Sequence, residues 1–129
     1  MTVAEIKEKF GLIGNPLGHS MSPFIHGELF KLAGVHGQFD LYPVPAASDY
    51  PRDVLGFSVT IPYKEDIIPL LSEVEESARV FGAVNCVAVR ECEVGSSPRL
   101  CGYNTDAYGF LKSVELLCGG TCGDECGGG

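Results

Sequence analysis

The sequence is short of positive charge, of long apolar runs and of phosphate-cradling glycine patterns, and each shortage removes a class of function. Nine Lys and Arg stand against seventeen Asp and Glu, a formal charge of −8. That balance repels nucleic-acid phosphates and anionic headgroups alike. No apolar run approaches the roughly 20 residues of a membrane-spanning helix. The opening Met1-Thr2-Val3-Ala4-Glu5 lacks the basic and apolar regions of a signal peptide. The expectation is a cytoplasmic protein with neither nucleic acid nor membrane as partner. Gly11, Gly14 and Gly18 match neither the dinucleotide fingerprint nor the P-loop, and no internal repeat occurs.

What is present suffices for one domain. The chain has 129 residues, 45% of them apolar, enough to bury a real core. Its six cysteines include no Cys-x-x-Cys pair. Cys86, Cys92 and Cys101 fall in or beside expected strands and read as small apolar packing residues. Cys118, Cys122 and Cys126 offer three thiolates where a structural zinc site takes four ligands. Residues 118–129 therefore read as a solvated Gly/Cys-rich tail, expected to be disordered, behind a domain spanning 1–117.

Strand and helix signals alternate. Strands are expected at Lys9 to Gly14, Gln38 to Val44, Gly56 to Ile61 and Ala83 to Val89, with Arg99 to Tyr103 returning antiparallel after a turn. Ser22 before Pro23 reads as an N-cap, and Ile25, Leu29 and Leu32 form the apolar stripe of a helix closing near Gly34. Pro45 to Leu55 is turn-rich with one short helix. Pro62 should open a further helix, Glu65 to Leu71 and Glu73 to Phe81 two helices broken near Ser72, and Thr105 to Leu117 the last. The sum is a three-layer α/β domain: a mostly parallel sheet, one antiparallel edge strand, and helices on both faces. The edge near Gln38 to Val44 is free to pair with a second copy, making a homodimer possible.

Three segments place polar groups where strands end, the usual ligand edge of such a sheet. They are Gly14-Asn15-Pro16 running to His19-Ser20-Met21-Ser22-Pro23, Ser58-Val59-Thr60-Ile61-Pro62-Tyr63-Lys64, and Gly102-Tyr103-Asn104-Thr105-Asp106. Ser20 and Ser22 beside a helix N-terminus supply donors and a favourable dipole for an anion. Capping alone accounts for Ser22 but leaves Ser20 unexplained. Lys64 in a first helical turn sits against the macrodipole and needs a reason, although an exposed solubilising lysine is the commoner fate. Asp106, an ordinary acid in a first helical turn by itself, would supply one if beside Lys64, holding the ammonium charged and accepting from a ligand hydroxyl. Thr60 and Asn85, at strand ends, can recognise hydroxyl groups or satisfy loop backbone. His19 reads as loop structure, His26 as packing on its helix, and Tyr103 as pocket lining.

With Gly82-Ala83-Val84-Asn85, these segments occur in the order found in the substrate-binding domain of shikimate dehydrogenase, which the chain resembles from about Phe10 to Val114. The resemblance implies binding of shikimate and 3-dehydroshikimate, for the NADPH-dependent reduction that leads to chorismate and the aromatic amino acids. It implies Lys64 and Asp106 as the catalytic dyad, and Ser20, Ser22, Thr60, Lys64, Asn85 and Asp106 as substrate ligands. Ser58 departs from it, standing where the family commonly has Asn. The family's NADP domain and returning terminal helix have no counterpart here. The chain is thus expected to bind substrate without turnover, with the nucleotide domain as a partner in cis or in trans. Three alternatives remain: a non-catalytic module for shikimate- or quinate-like acids, which has no need of the dyad; a subunit that pairs through an apolar face; and a related quinate or aminoshikimate enzyme.

Overall fold

The computed structural model describes residues 7–91 and 94–119. Six strands form one sheet in the order β2-β1-β3-β5-β6-β4. They are β1 (Glu8–Ile13), β2 (Gly37–Tyr42), β3 (Gly56–Val59), β4 (Glu73–Val74), β5 (Cys86–Arg90) and β6 (Arg99–Tyr103). Three helices accompany them: α1 (Ser22–Ala33), α2 (Glu76–Phe81) and α3 (Asp106–Leu117). The β1-α1-β2 crossover and the β1/β3 pair are parallel, as is β4 on β6. The antiparallel strand is β5, and it lies inside the sheet between β3 and β6 rather than at the margin. The expected mixed α/β sheet is thus present, with β2 and β4 as its edges.

Alternation along the strands divides the core between the faces. Leu12 packs with Phe39 and Leu17 on the α1 side, where Phe10 and Phe30 join them. Ile13, Phe57, Val59, Val87 and Leu100 turn the other way, onto Tyr63, Ile67, Ala78 and Val84. Ile13, Ile67, Val84 and Val87 are fully buried. Each contributes roughly 1.5–3 kcal/mol relative to exposure.

Several expectations require correction. Pro62 opens no helix: it follows a cis peptide bond and leads into turns. The expected helix over Glu65 to Leu71 is reduced to a 3-10 turn, Ile68–Leu70. Pro69 explains this, because it has no N–H to donate and biases the residue before it away from helix. The helix expected from Glu73 begins only at Glu76, since Ser72 and Glu75 donate backbone bonds to Leu100 and Gly102 and draw Glu73–Val74 into the sheet beside β6. It ends as expected at Gly82, whose φ of 64° suits glycine.

In α1 the expected stripe is turned outward: Ile25 and Leu29 are about half exposed and Leu32 is 85% exposed. The sheet instead takes His26 and Phe30. The His26 ring stacks on Phe39 at 4.0 Å, and Phe30 meets Phe10 at 5.3 Å. Ser22 is not the cap either. It lies within the helix, Met21 holds the cap position, and the Ser20 hydroxyl accepts from the Ser22 N–H at 3.2 Å.

Cys101 is buried, as expected, and Cys86 is half-buried. Burial pushes the Cys86 thiol above its usual value. Cys92, Cys122, Cys126 and most of the expected tail lie outside the described residues. Among the described residues no helix is long and apolar enough to cross a membrane.

Candidate functional site

Four polar loops meet at one edge of the sheet because of how the strands pair. In the parallel β1/β3 register Ile13 lies opposite Val59, so the loops after both strands emerge together. Backbone bonds join them: Thr60 donates to Ile13 at 3.0 Å and Asn15 to Ile61 at 3.1 Å. Because β5 runs the other way, its beginning reaches the same edge. Val59 donates to the Asn85 carbonyl at 2.8 Å, and Asn85 donates to the Tyr103 carbonyl at 3.1 Å. The end of β6 then delivers Asn104, Thr105 and Asp106 there.

Closeness at this edge depends on Gly14. A Cβ on it would stand 2.5 Å from Thr60 Cγ2 and 2.7 Å from Leu17 Cδ2. No side chain fits between the two loops. Tyr63 anchors the second loop from behind, its hydroxyl donating to the Val44 carbonyl.

The centre of the cluster is Asp106. Lys64 Nζ donates to its Oδ2 at 2.7 Å, and Asn85 Nδ2 donates to its Oδ1 at 2.9 Å. Asn85 also donates to Thr105 Oγ1 at 2.8 Å and accepts from the Thr105 N–H at 2.9 Å. Both amide hydrogens of Asn85 are therefore engaged, and its Oδ1 keeps one free lone pair as an acceptor for a ligand O–H. The side chains of Lys64 and Asp106 are 36% and 56% exposed. Water screens such a pair, so it adds little to stability, while its charges remain open to a ligand. Lys64 lies in a turn after the Ile61–Pro62 bond, so no macrodipole opposes it; the carboxylate is what holds it.

The structure thus joins Lys64, Asn85 and Asp106 directly and sets Thr60 on the adjoining loop. Among the described residues the Thr60 hydroxyl has no hydrogen-bond partner. Ser20 and Ser22 stand at the start of α1, on the loop fastened to Ile61, and no hydrogen bond among the described residues links them to the Lys64 cluster. Ser20 is partly explained by its bond to the Ser22 N–H, while the Ser22 hydroxyl is unpaired among the described residues. Tyr103 turns elsewhere, toward Arg90 and a cavity of about 530 Å³ at the β4 edge, away from the dyad. Sequence reasoning missed Asn104 as an individual residue. Its signal was an Asn just ahead of a helix start, a capping residue type.

A family model described as the shikimate dehydrogenase substrate binding domain matches residues 12–87. The chain belongs to that family. It is 38% identical to the NADP-dependent shikimate dehydrogenase of Oceanobacillus iheyensis over 111 residues, 80% of this chain and 38% of that enzyme. Among solved structures it is similar to shikimate 5-dehydrogenase of Thermus thermophilus, in complex with NADP(H) and shikimate, at 31% identity and a TM-score of 0.72. That match covers 84% of this chain and 42% of the enzyme. It is also similar to the 5-ketofructose reductase of a Gluconobacter species, at 27% identity and a TM-score of 0.74, over 88% of this chain and 41% of the reductase. The chain spans about two-fifths of the length of the curated shikimate dehydrogenases it matches. Relatives of this family are NADP-dependent oxidoreductases by name.

Proposed function

We propose that this chain is the substrate-binding part of a shikimate dehydrogenase and binds shikimate and 3-dehydroshikimate at the Lys64–Asp106 edge. The observation that carries this reading is the two-sided grip on Asp106, with Lys64 on one carboxylate oxygen and Asn85 on the other. A carboxylate held this way is oriented to accept from a ring hydroxyl. The ammonium it holds is placed to donate a proton, or a hydrogen bond, to the oxygen of a carbonyl being reduced. Thr60 adds a free hydroxyl on one side and Asn85 Oδ1 an acceptor on the other. Ser20, Ser22 and the start of α1 suit the substrate carboxylate.

The residues present do not fit NADP. The β1–α1 turn carries Asn15-Pro16, and Thr60 and Leu17 close over Gly14, where a dinucleotide site needs open glycines and a helix N-terminus on the pyrophosphate. Hydride transfer is accordingly assigned to a nucleotide domain held outside these residues, in cis or in trans. By itself this chain is proposed to bind and not to turn over.

The test is calorimetric titration with shikimate of the chain and of its Lys64→Ala and Asp106→Ala variants. Saturable binding, weakened about tenfold or more by either change, is the expected result for loss of a charged hydrogen bond. Absence of heat at millimolar shikimate, with the chain folded, would reject a preformed site. The likeness to a 5-ketofructose reductase supports a second ligand class, polyhydroxylated ketones without a carboxylate. Parallel titrations with quinate and 5-ketofructose decide between them, since only a carboxylate-bearing ligand draws charge-assisted hydrogen bonds from Ser20 and Ser22.

A further inference from the structure

We propose that Asn104 is the positioning residue of the Lys64–Asp106 pair. It is the one buried polar residue among those described. Its Oδ1 accepts from the Asp106 N–H at 3.0 Å and from the Ala107 N–H at 3.3 Å, which fills both lone pairs. Its Nδ2 donates to the Ala83 carbonyl at 3.0 Å, and its own N–H donates to Ser77 Oγ at 3.2 Å. The Ser77 hydroxyl in turn donates to the Glu75 carboxylate at the start of α2. The amide can sit only one way round, because a flip would set its NH2 against two N–H donors.

These bonds have a consequence for the site. The Ala83 carbonyl lies two residues before Asn85, and the Asp106 and Ala107 amides open α3. One buried side chain therefore ties the loop that carries Asn85 to the turn that carries Asp106, from behind the bonds Asn85 makes to Thr105. Asn85 and Asp106 then meet at 2.9 Å, and Lys64 finds the other carboxylate oxygen at 2.7 Å. Asn85 itself bonds Thr105, but no other side chain caps α3: Thr105, at the N-cap position, makes no side-chain cap bond. Without Asn104 the first turn of α3 loses both cap acceptors, and a shift of about 1 Å suffices to open charge-assisted contacts of this kind.

This inference extends the proposed substrate reading, but one arm of its test is independent of any ligand. In 1H–15N spectra of the chain, the Asn85 side-chain amide should resonate away from the free-amide position because both hydrogens are engaged. Asn104→Ala is expected to return it toward that position while the amides of β1 and β3 keep theirs. The same variant should weaken shikimate binding about tenfold. An unmoved Asn85 amide in folded Asn104→Ala, or an affinity within about twofold of wild type where wild type binds, overturns the proposal. If wild type does not bind shikimate, the substrate reading fails and the Asn85 signals alone decide the role of Asn104. Asn104→Asp covers the case in which the alanine variant does not fold. It keeps the Oδ1 acceptor for both cap bonds and sets a carboxylate oxygen against the Ala83 carbonyl, so the tie to Ala83 is broken and the Asn85 signals should still move. Unfolding of that variant as well would make Asn104 a core residue and overturn the proposal.

Discussion

Gly14 and Gly18 sit four residues apart in the same loop, yet the structure asks different things of them. At Gly14 a methyl group would meet Thr60, Leu17 and the Ile61 carbonyl, the last at 3.1 Å, whereas at Gly18 it would meet nothing within 4 Å. Gly14→Ala is therefore expected to destabilise the fold by roughly 1–3 kcal/mol through overpacking. It should also weaken the proposed shikimate binding, by pushing Thr60 and the loop that leads to Lys64. Gly18→Ala should change neither. Urea unfolding and calorimetric titration of the two variants side by side check both statements, and an equal response at the two positions would contradict them. The same scale shows where single-residue reasoning reached its limit. The pairing of Lys64 with Asp106 was legible only through the motif order that carries the family resemblance. The bonds of Asn85 and Asn104 were not, because an amide's partners depend on which loops the sheet brings together, and those loops are some 20 residues apart in sequence.

Helix α2 has six residues and leans on its cap, with Glu75 accepting from the Ser77 N–H at 3.0 Å. The Ser77 hydroxyl and N–H beside it hold the Glu75 carboxyl below its usual value of 4.5. A lowered folded value means that the cap stabilises fully above the unfolded value and is lost as pH falls through the folded one. Glu75→Gln should thus flatten the acid limb of the stability curve below about pH 4.5 and leave its shape near neutral pH unchanged. Thermal unfolding followed by circular dichroism from acid to neutral pH reads this directly. Helix α1 gives a contrasting case. Leu32 is 85% exposed despite its place in an apolar stripe, so Leu32→Lys should cost no more than about 0.5 kcal/mol. Ile67→Ala, at a fully buried position in a turn that sequence assigned to a helix, should cost roughly 2–5 kcal/mol. Chemical denaturation of both variants would reverse that ranking only if the core lay elsewhere. Periodicity located α1 but chose the wrong face, since the sheet's aromatic residues, Phe10 and Phe39, take Phe30 and His26 instead of the Ile25/Leu29/Leu32 stripe.

For the molecule as a whole, burial is concentrated in the sheet and in the layer formed by Tyr63, Ile67, Ala78 and Val84. Neither α1 nor α3 contains a buried residue. Native-state hydrogen exchange should therefore show amides of β1, β3 and β5 opening only with global unfolding, and amides of α1 and α3 opening at distinctly lower free energy. Equal protection in α1 and β1 would show that the helices are held by more than the contacts described. The outward apolar residues, among them Phe24, Leu29, Phe110 and Leu111, belong to this scale too. So does an apolar trough of about 320 Å³ that runs over Gly56, Ser58, Cys86 and Ala88. In a chain that spans about two-fifths of its relatives' length, such surfaces are in keeping with the proposed partner domain.

Local sequence was enough for the α/β class, most strand positions and the glycine-ended helices, and motif order, through the family resemblance, pointed to Lys64 and Asp106. The first three follow from short-range causes, side-chain period and turn chemistry. The interior place of β5, the capture of Glu73–Val74 as a strand, the face α1 presents, and the route by which Asn104 and Asn85 reach Asp106 were set by packing between distant segments. Each of those depends on which backbone donors and aromatic rings meet across the sheet, and such meetings leave no period in the chain for a sequence reading to detect.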